Sequence, residues 1–234
     1  MVLVCIIFSI AIPYLICSIN PAIIVTRLKS GQDIKTLGSG SAGLTNTLRT
    51  QGKTAAVIVL LGDVLKGVAS ILLIKLFCHY FLPPAFIQDI NPPIEHAGYY
   101  PHLCVWLGSL CGVLGHCFPL YYKFKGGKAV LVTASTGMTI LWLPPLIAIT
   151  IFITIIAVTR YVSVGSIIAA VCYPLSVWAV GTFLWDVPYN HVGVIFTSII
   201  AAILIMMHRE NIKRLINGNE KKLGVSERVK KPKI

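Results

Sequence analysis

The 234-residue chain is 56% hydrophobic and only 12% charged, with a mean hydropathy of +0.82. A soluble domain carries about twice that charged fraction, so the composition excludes an ordinary soluble enzyme and implies one membrane domain. The net charge of +12, from 20 Lys and Arg against 8 Asp and Glu, fits basic cytoplasmic loops better than a nucleic-acid partner.

A membrane-spanning helix needs about 20 mainly apolar residues. The stretch 2–26 is apolar from Met1, lacks a basic leader, and reads as a retained first span rather than a signal peptide. Arg27, Lys29, Lys35, Arg49 and Lys53 follow, and then a second span over 54–82 that contains Asp63 and Lys66 one helical turn apart. The next connection, 83–101, has Asp89 and Glu95 but no Lys or Arg. A third span covers 102–122, and Lys123, Lys125 and Lys128 follow it. The apolar run 129–159 is interrupted by Trp142-Leu143-Pro144-Pro145; tandem prolines block helix continuation, so two short helices are predicted, 129–142 and 145–159. Arg160 marks the next crossing, 162–185 forms a sixth span, the connection 186–190 has only Asp186, and 191–207 forms the last span. The tail from His208 onward is rich in Lys and Arg.

Basic and non-basic connections alternate along this plan. It therefore predicts an all-α polytopic protein with seven transmembrane helices, the N-terminus outside and the C-terminus cytoplasmic. Residues 1–220 form one transmembrane domain, and 221–234 a basic cytoplasmic tail near anionic lipid. The seven cysteines are odd in number, contain no CxxC, and read as small buried hydrophobes.

Four groups of polar residues fall on the predicted cytoplasmic face. In the first, Gly38, Gly40 and Gly43 permit tight turns and expose backbone amides, while Ser39, Ser41, Thr45, Asn46 and Arg49 supply hydrogen bonds and a forked cation. Such a loop suits phosphate. It matches GxGxxG in form, but a membrane chain has no βαβ unit for a dinucleotide. In the second, Gly126-Gly127-Lys128 precedes an apolar helix and attracts an anion, without the spacing of a Walker A loop. His116, upstream of it, reads as a structural hydrogen-bonding residue. In the third, His208 and Asn211 share a helical face, beside Arg209, Glu210, Lys213 and Arg214. The fourth comprises Asp63 and Lys66, ionisable groups within a span and so functional or mutually paired; Ser163 and Ser166 lie on the same side. Together these groups suggest a phosphate-bearing substrate meeting a lipidic one.

The first group with Asp63-Val64-Leu65-Lys66-Gly67 resembles the first signature of the bacterial acyl-phosphate:glycerol-3-phosphate acyltransferases (PlsY type). Gly115-His116-x-Phe118-Pro119 with Phe124-Lys125-Gly126-Gly127-Lys128 resembles the second, and His208 to Leu215 with Gly218 and Glu220 the third. The resemblance runs from about residue 3 to residue 220. It implies transfer of an acyl chain from acyl phosphate to the 1-hydroxyl of glycerol 3-phosphate, giving lysophosphatidic acid and phosphate at the start of phospholipid synthesis. It further implies no cofactor and no metal, a monomer in the bacterial inner membrane, and a site facing the cytoplasm. Ser39, Arg49, Lys128, Ser163, His208 and Asn211 would line the substrate site; the glycine loops would hold phosphate, with Asp63, Lys66 and Glu210 in support. Many members have Asn at the position of Ser41, Ala at that of Leu44 and Gly at that of Ala129.

The hydroxyl proton would pass either to His208 or to a substrate phosphate oxygen, and the absence of an assignable carboxylate beside His208 favours the second. No histidine has Asp five residues later, so the HxxxxD pair of CoA- and carrier-dependent acyltransferases is absent. The rival reading from another class is a membrane transporter for a small organic phosphate, which would place its polar groups near the midplane.

Overall fold

The structure, a computed structural model, describes residues 1–82, 99–187 and 189–223. The described residues are helical and contain no strand. Among the described residues ten α-helices follow one another: α1 (Val2–Ser18), α2 (Pro21–Ser30), α3 (Leu44–Gln51), α4 (Lys53–Phe81), α5 (Tyr99–Cys117), α6 (Val130–Ile140), α7 (Leu143–Thr159), α8 (Val162–Ala179), α9 (Asn190–Met207) and α10 (Arg209–Ile216). Among the described residues five helical stretches are long and apolar enough to cross a membrane: Val2–Ser30, Lys53–Phe81, Pro101–Tyr122, Val162–Leu184 and Asn190–Met207. The apolar helices α6 and α7 are shorter, 11 and 17 residues. At 1.5 Å per residue they reach only about 16 and 25 Å against a hydrocarbon core of ~30 Å. The acidic connection around Asp89 and Glu95, and the tail from 224 onward, lie outside the described residues.

Three local features differ from the sequence expectation. The first apolar stretch breaks at Ile19, whose backbone is extended (ψ 120°). Asn20 then starts α2 by accepting the Ile23 amide at 3.1 Å, and Pro21 occupies the first turn, where its missing N–H costs nothing. The second break falls at Leu141-Trp142, not within the proline pair. Pro144 and Pro145 sit in the first turn of α7. The third is α3, which occupies half of the segment read as a loop.

Close helix packing depends on small residues. On α5, Gly108, Gly112 and Gly115 share one face against α1; a Cβ at Gly115 would stand 2.3 Å from the Tyr14 carbonyl oxygen. Without a hydrophobic drive between lipid-embedded helices, such close backbone approach supplies much of the attraction. Beneath the 34–43 segment, Ala22, Ile23, Ile34, Ala42 and Val59 form a separate small core. This core anchors the first glycine-rich turn to α2 and α4. All seven cysteines are free, and six of them are buried.

Candidate active site

Gly38 and Gly40 have φ of 58° and 71°, left-handed values that favour glycine. The turn they make is pinned by buried Asn46. Its Oδ1 accepts the Ser39 amide at 2.9 Å, and its Nδ2 donates to the carbonyls of Leu37 at 3.0 Å and Ile34 at 3.4 Å. Asn46 thus spends its hydrogen bonds on the loop itself. Ser39, Ser41 and Thr45 remain on the wall of a cavity, where the first turn of α3 carries no side-chain cap. Arg49, one turn beyond Thr45, reaches the same wall, and its guanidinium donates to the Lys221 carbonyl at 3.1 Å.

Gly126 and Gly127 serve a different purpose. Neither has a positive φ. Their amides donate to the carbonyls of Cys117 and His116, each at 3.1 Å, and so are not offered to a ligand. A Cβ on Gly126 would lie 2.0 Å from the His116 carbonyl, and one on Gly127 would lie 2.3 Å from His116 Nε2 and 2.5 Å from the Ala42 carbonyl. These glycines let the second loop press against α5 and the first loop, which aims Lys128 into the cavity. Ala129 next to it adopts φ 58°, a strained value for a residue with a Cβ. A glycine would adopt this φ without strain.

Lys128 donates to Asn211 Oδ1. Burial pushes the Lys128 ammonium down to about 8; Glu220 opposes the fall, and Arg214 and Arg49 add to it. Among the described residues no carboxylate forms an ion pair with Lys128 or Arg49. Two cations without direct counter-ions therefore face one cavity. His208 caps α9, and its Nδ1 lies 2.7 Å from the Leu204 carbonyl. A carbonyl only accepts, so Nδ1 carries the proton and Nε2 the lone pair. Burial, with Lys128 close by, pushes this imidazole down to about 4, so it is neutral at physiological pH.

Glu220 ties the polar end together. Its Oε1 accepts from Asn211 Nδ2 at 2.7 Å and Ser163 Oγ at 2.8 Å, and its Oε2 from Arg214 Nε at 2.7 Å. Burial acts to raise its pKa, but the bonds from Asn211, Arg214 and Ser163 hold the carboxyl below its ordinary value. By contrast Glu210, expected in support, is 59% exposed, pairs with Arg209 and Lys213, and does not line the cavity. Two residues further round the helix than His208, it points the other way.

The cavity has a volume of about 570 Å³. Ser39, Arg49, Lys128, Ser163, His208 and Asn211 all line it, as do Ser41, Gly43, Thr45, Asn46 and Asp63. Gly38, Gly40, Gly126, Gly127 and Lys66 are not among its lining residues. Beyond the polar end an apolar arm runs between α6, α7 and α8 past Ala148, Phe152 and Ala169 to Met138, Pro145 and Tyr173. Tyr173 is ten residues from Ser163 on α8, so the arm extends roughly 15 Å inward. Sequence reasoning missed this arm, because its lining is indistinguishable in composition from lipid-facing surface. Among the described residues no group of three or more His, Cys, Asp or Glu could hold a metal ion.

A helical membrane fold with two cations, hydroxyls and a neutral imidazole at the head of an apolar arm defines a membrane enzyme class handling an anionic and a lipidic group together. The family model described as glycerol-3-phosphate acyltransferase matches residues 7–218. Glycerol-3-phosphate acyltransferase of Clostridioides difficile is 36% identical over 213 residues, covering 91% of this chain and 93% of its own length. That of Chlorobaculum parvum is 36% identical, covering 94% and 97%. Two crystal structures of PlsY (YgiH), an integral membrane glycerol 3-phosphate acyltransferase, share the fold. The glycerol 3-phosphate form has a TM-score of 0.74 at 30% identity, covering 95% of this chain and 96% of that one. The lysophosphatidic acid form has a TM-score of 0.71 at 28% identity, covering 93% and 95%. The chain belongs to the glycerol-3-phosphate acyltransferase family.

Proposed function

We propose that this protein transfers a fatty acyl group from acyl phosphate to the 1-hydroxyl of glycerol 3-phosphate, releasing lysophosphatidic acid and inorganic phosphate. The observation that carries this reading is a single cavity with unneutralised Arg49 and Lys128 at its head and a 15 Å apolar arm behind them. Such a cavity accepts an anion and a hydrocarbon chain together, as the donor and the product both require. The related PlsY structures in glycerol 3-phosphate and lysophosphatidic acid forms support the same substrate and product.

Acyl phosphate is an activated mixed anhydride, so the leaving group needs little assistance. The glycerol oxygen bonds to the acyl carbon, the carbon–oxygen bond to phosphate breaks, and phosphate departs. Arg49, Lys128, Ser39 and the uncapped first turn of α3 stabilise the charge that gathers on carbonyl and phosphate oxygens. Asn211 and Ser163, both held by Glu220, position the acceptor. His208 Nε2 accepts a hydrogen bond from the neighbouring 2-hydroxyl of glycerol 3-phosphate and so orients the acceptor, leaving the 1-hydroxyl proton directed at the donor phosphate. With its pKa near 4 the imidazole is a weak base, so the proton passes to a substrate phosphate oxygen, which leaves as hydrogen phosphate.

In the membrane, α6 and α7 each cross as a short helix, completing seven spans with the N-terminus outside and the site facing the cytoplasm of a bacterial inner membrane. The basic residues Arg27, Lys29, Lys123, Lys125, Lys213 and Arg214 then share the cytoplasmic side. The protein acts as a monomer. Residues 1–220 constitute the catalytic domain and 221–234 its basic tail.

The polar groups gather at one end of the helices, which opposes the transporter alternative. Purified protein in detergent, supplied with acyl phosphate and glycerol 3-phosphate, is expected to form lysophosphatidic acid, and Arg49→Ala to abolish turnover while leaving the thermal midpoint unchanged. No product from the wild type would overturn the acyltransferase reading; full activity in Arg49→Ala would overturn the site assignment.

A further inference from the structure

Behind the polar end of the cavity lies a buried cluster that the proposed reaction does not use. Lys66 of α4 is 7% exposed, Asp63 2% and His116 of α5 3%. Lys66 Nζ donates to the Ile19 carbonyl at 2.8 Å, lies 2.9 Å from His116 Nδ1, and forms an ion pair with Asp63 Oδ1 at 2.8 Å, which is itself 3.5 Å from His116 Nδ1. An ammonium group only donates, so Nδ1 of His116 must supply its lone pair. The single ring proton is therefore on Nε2, and the ring is neutral. Asp63 offsets the buried Lys66 charge, and the Ile19 carbonyl, freed where α1 breaks, takes the remaining N–H.

The proton on Nε2 is directed at a functional place. His116 lines the cavity, and Nε2 is the side-chain atom closest to where a Cβ on Gly127 would stand. Nε2 and the Ala42 carbonyl both press on Gly127, where the two glycine-rich segments meet. Among the described residues the recorded polar contacts of this ring, with Lys66 and Asp63, are both at Nδ1. Nε2 is not among the sealed-off polar atoms of the interior, so this donor is open to the cavity and available to a ligand. Lys128, Gly43 and Leu44 line the same cavity, and a cation with the first turn of α3 suits an oxyanion.

We propose that His116 is a phosphate-binding residue of this cavity, donating from Nε2 to a substrate phosphate oxygen, with Lys66 and Asp63 as the positioning residues that fix its tautomer. This rests on the reading of the cavity as a phosphate-ester site. The cluster also explains why a costly ion pair is kept inside the helices: it holds a neutral donor in one orientation without adding a net charge.

The test uses full-length protein in bilayers with ring-15N histidine, examined by solid-state NMR, with the His116 signals identified by their loss in His116→Gln. The expected result is a protonated Nε2 and an unprotonated Nδ1, with Nε2 shifting on saturation with inorganic phosphate. In Lys66→Met, ring protonation should become mixed and the phosphate-induced shift should weaken. In steady state, His116→Leu should raise KM for a phosphate substrate about tenfold or more with a smaller change in kcat, and His116→Gln, which keeps an N–H donor, should recover most of it. Melting curves select folded variants for these assays. A proton on Nδ1, or an Nε2 signal indifferent to phosphate, would overturn the proposal. A wild type that makes no lysophosphatidic acid yet shows the phosphate shift at Nε2 would overturn the acyltransfer reading and leave this assignment standing.

Discussion

Replacing Glu220 with alanine should damage both the fold and the chemistry. Its carboxylate is 6% exposed and accepts from Ser163, Asn211 and Arg214. Hydrogen bonds to a charged group contribute about 1.5 kcal/mol each at the low end of their range, so Ser163 and Asn211 together account for ~3 kcal/mol. Arg214 is 34% exposed, and solvent screening limits its ion pair to about 0.5–1 kcal/mol. Water entering the cavity would satisfy part of what is lost, leaving a destabilisation of about 2–4 kcal/mol. Asn211 would also lose the partner that opposes Lys128, and misplacement by about 1 Å can cost 10²-fold in rate. Glu220→Gln keeps an acceptor for Ser163 and Asn211 and should retain most of the stability, but not the Arg214 contact. The carboxyl pKa is held low in the folded state, so its contribution is complete above the unfolded carboxyl value of about 4.3 and is lost as pH falls through the lower folded value. That acid-side loss should be absent in Glu220→Gln. The assay is thermal unfolding in detergent across pH, paired with product formation. If Glu220→Ala kept the wild-type midpoint and turnover, the carboxylate would not organise this site.

Other consequences follow from the same geometry. The Lys128 cation is present below its pKa of about 8 and is lost as pH rises through it, so kcat/KM for glycerol 3-phosphate should decline above pH 8. Lys128→Arg should lack that alkaline limb, and an unchanged limb would assign it to another group. Gly127→Ala places a Cβ 2.3 Å from His116 Nε2 and 2.5 Å from the Ala42 carbonyl, and should raise KM for glycerol 3-phosphate while the protein stays folded. An unaltered KM would show that the two loops need not touch. At the deep end of the apolar arm, Met138→Trp should shift preference to shorter acyl donors and Tyr173→Leu to longer ones, measured by competition among chain lengths; an unchanged profile would place the chain elsewhere.

What the sequence reveals of this fold is what one-dimensional patterns can carry. The second and last spans, expected at 54–82 and 191–207, appear as Lys53–Phe81 and Asn190–Met207, because long apolar runs fix a helix with little help from tertiary contacts. The Asp63–Lys66 pair is legible from its spacing alone, and it forms at 2.8 Å. The break at Ile19 is masked in the sequence, although Asn20-Pro21 is a recognisable cap and first-turn pair, because the apolar pattern continues across it. Gly126 and Gly127 looked like amide donors. Only the distant carbonyls of His116 and Cys117 reveal that their amides are already used. Glu210 and Glu220 are equivalent in composition, and helical geometry separates the first from the cavity, whereas the position of the second depends on a turn after α10. His116 gains its meaning from Lys66, fifty residues away, a contact no local pattern contains.

The central claim is that a membrane-held acyl phosphate and soluble glycerol 3-phosphate react in one cavity headed by Arg49 and Lys128. The most direct test supplies purified wild-type protein and radiolabelled glycerol 3-phosphate with either acyl phosphate or acyl-CoA of the same chain length, and follows lysophosphatidic acid and released phosphate together. Equimolar lysophosphatidic acid and phosphate from acyl phosphate, with no product from acyl-CoA, is the predicted result. Product from acyl-CoA, or phosphate release without lysophosphatidic acid, would contradict it.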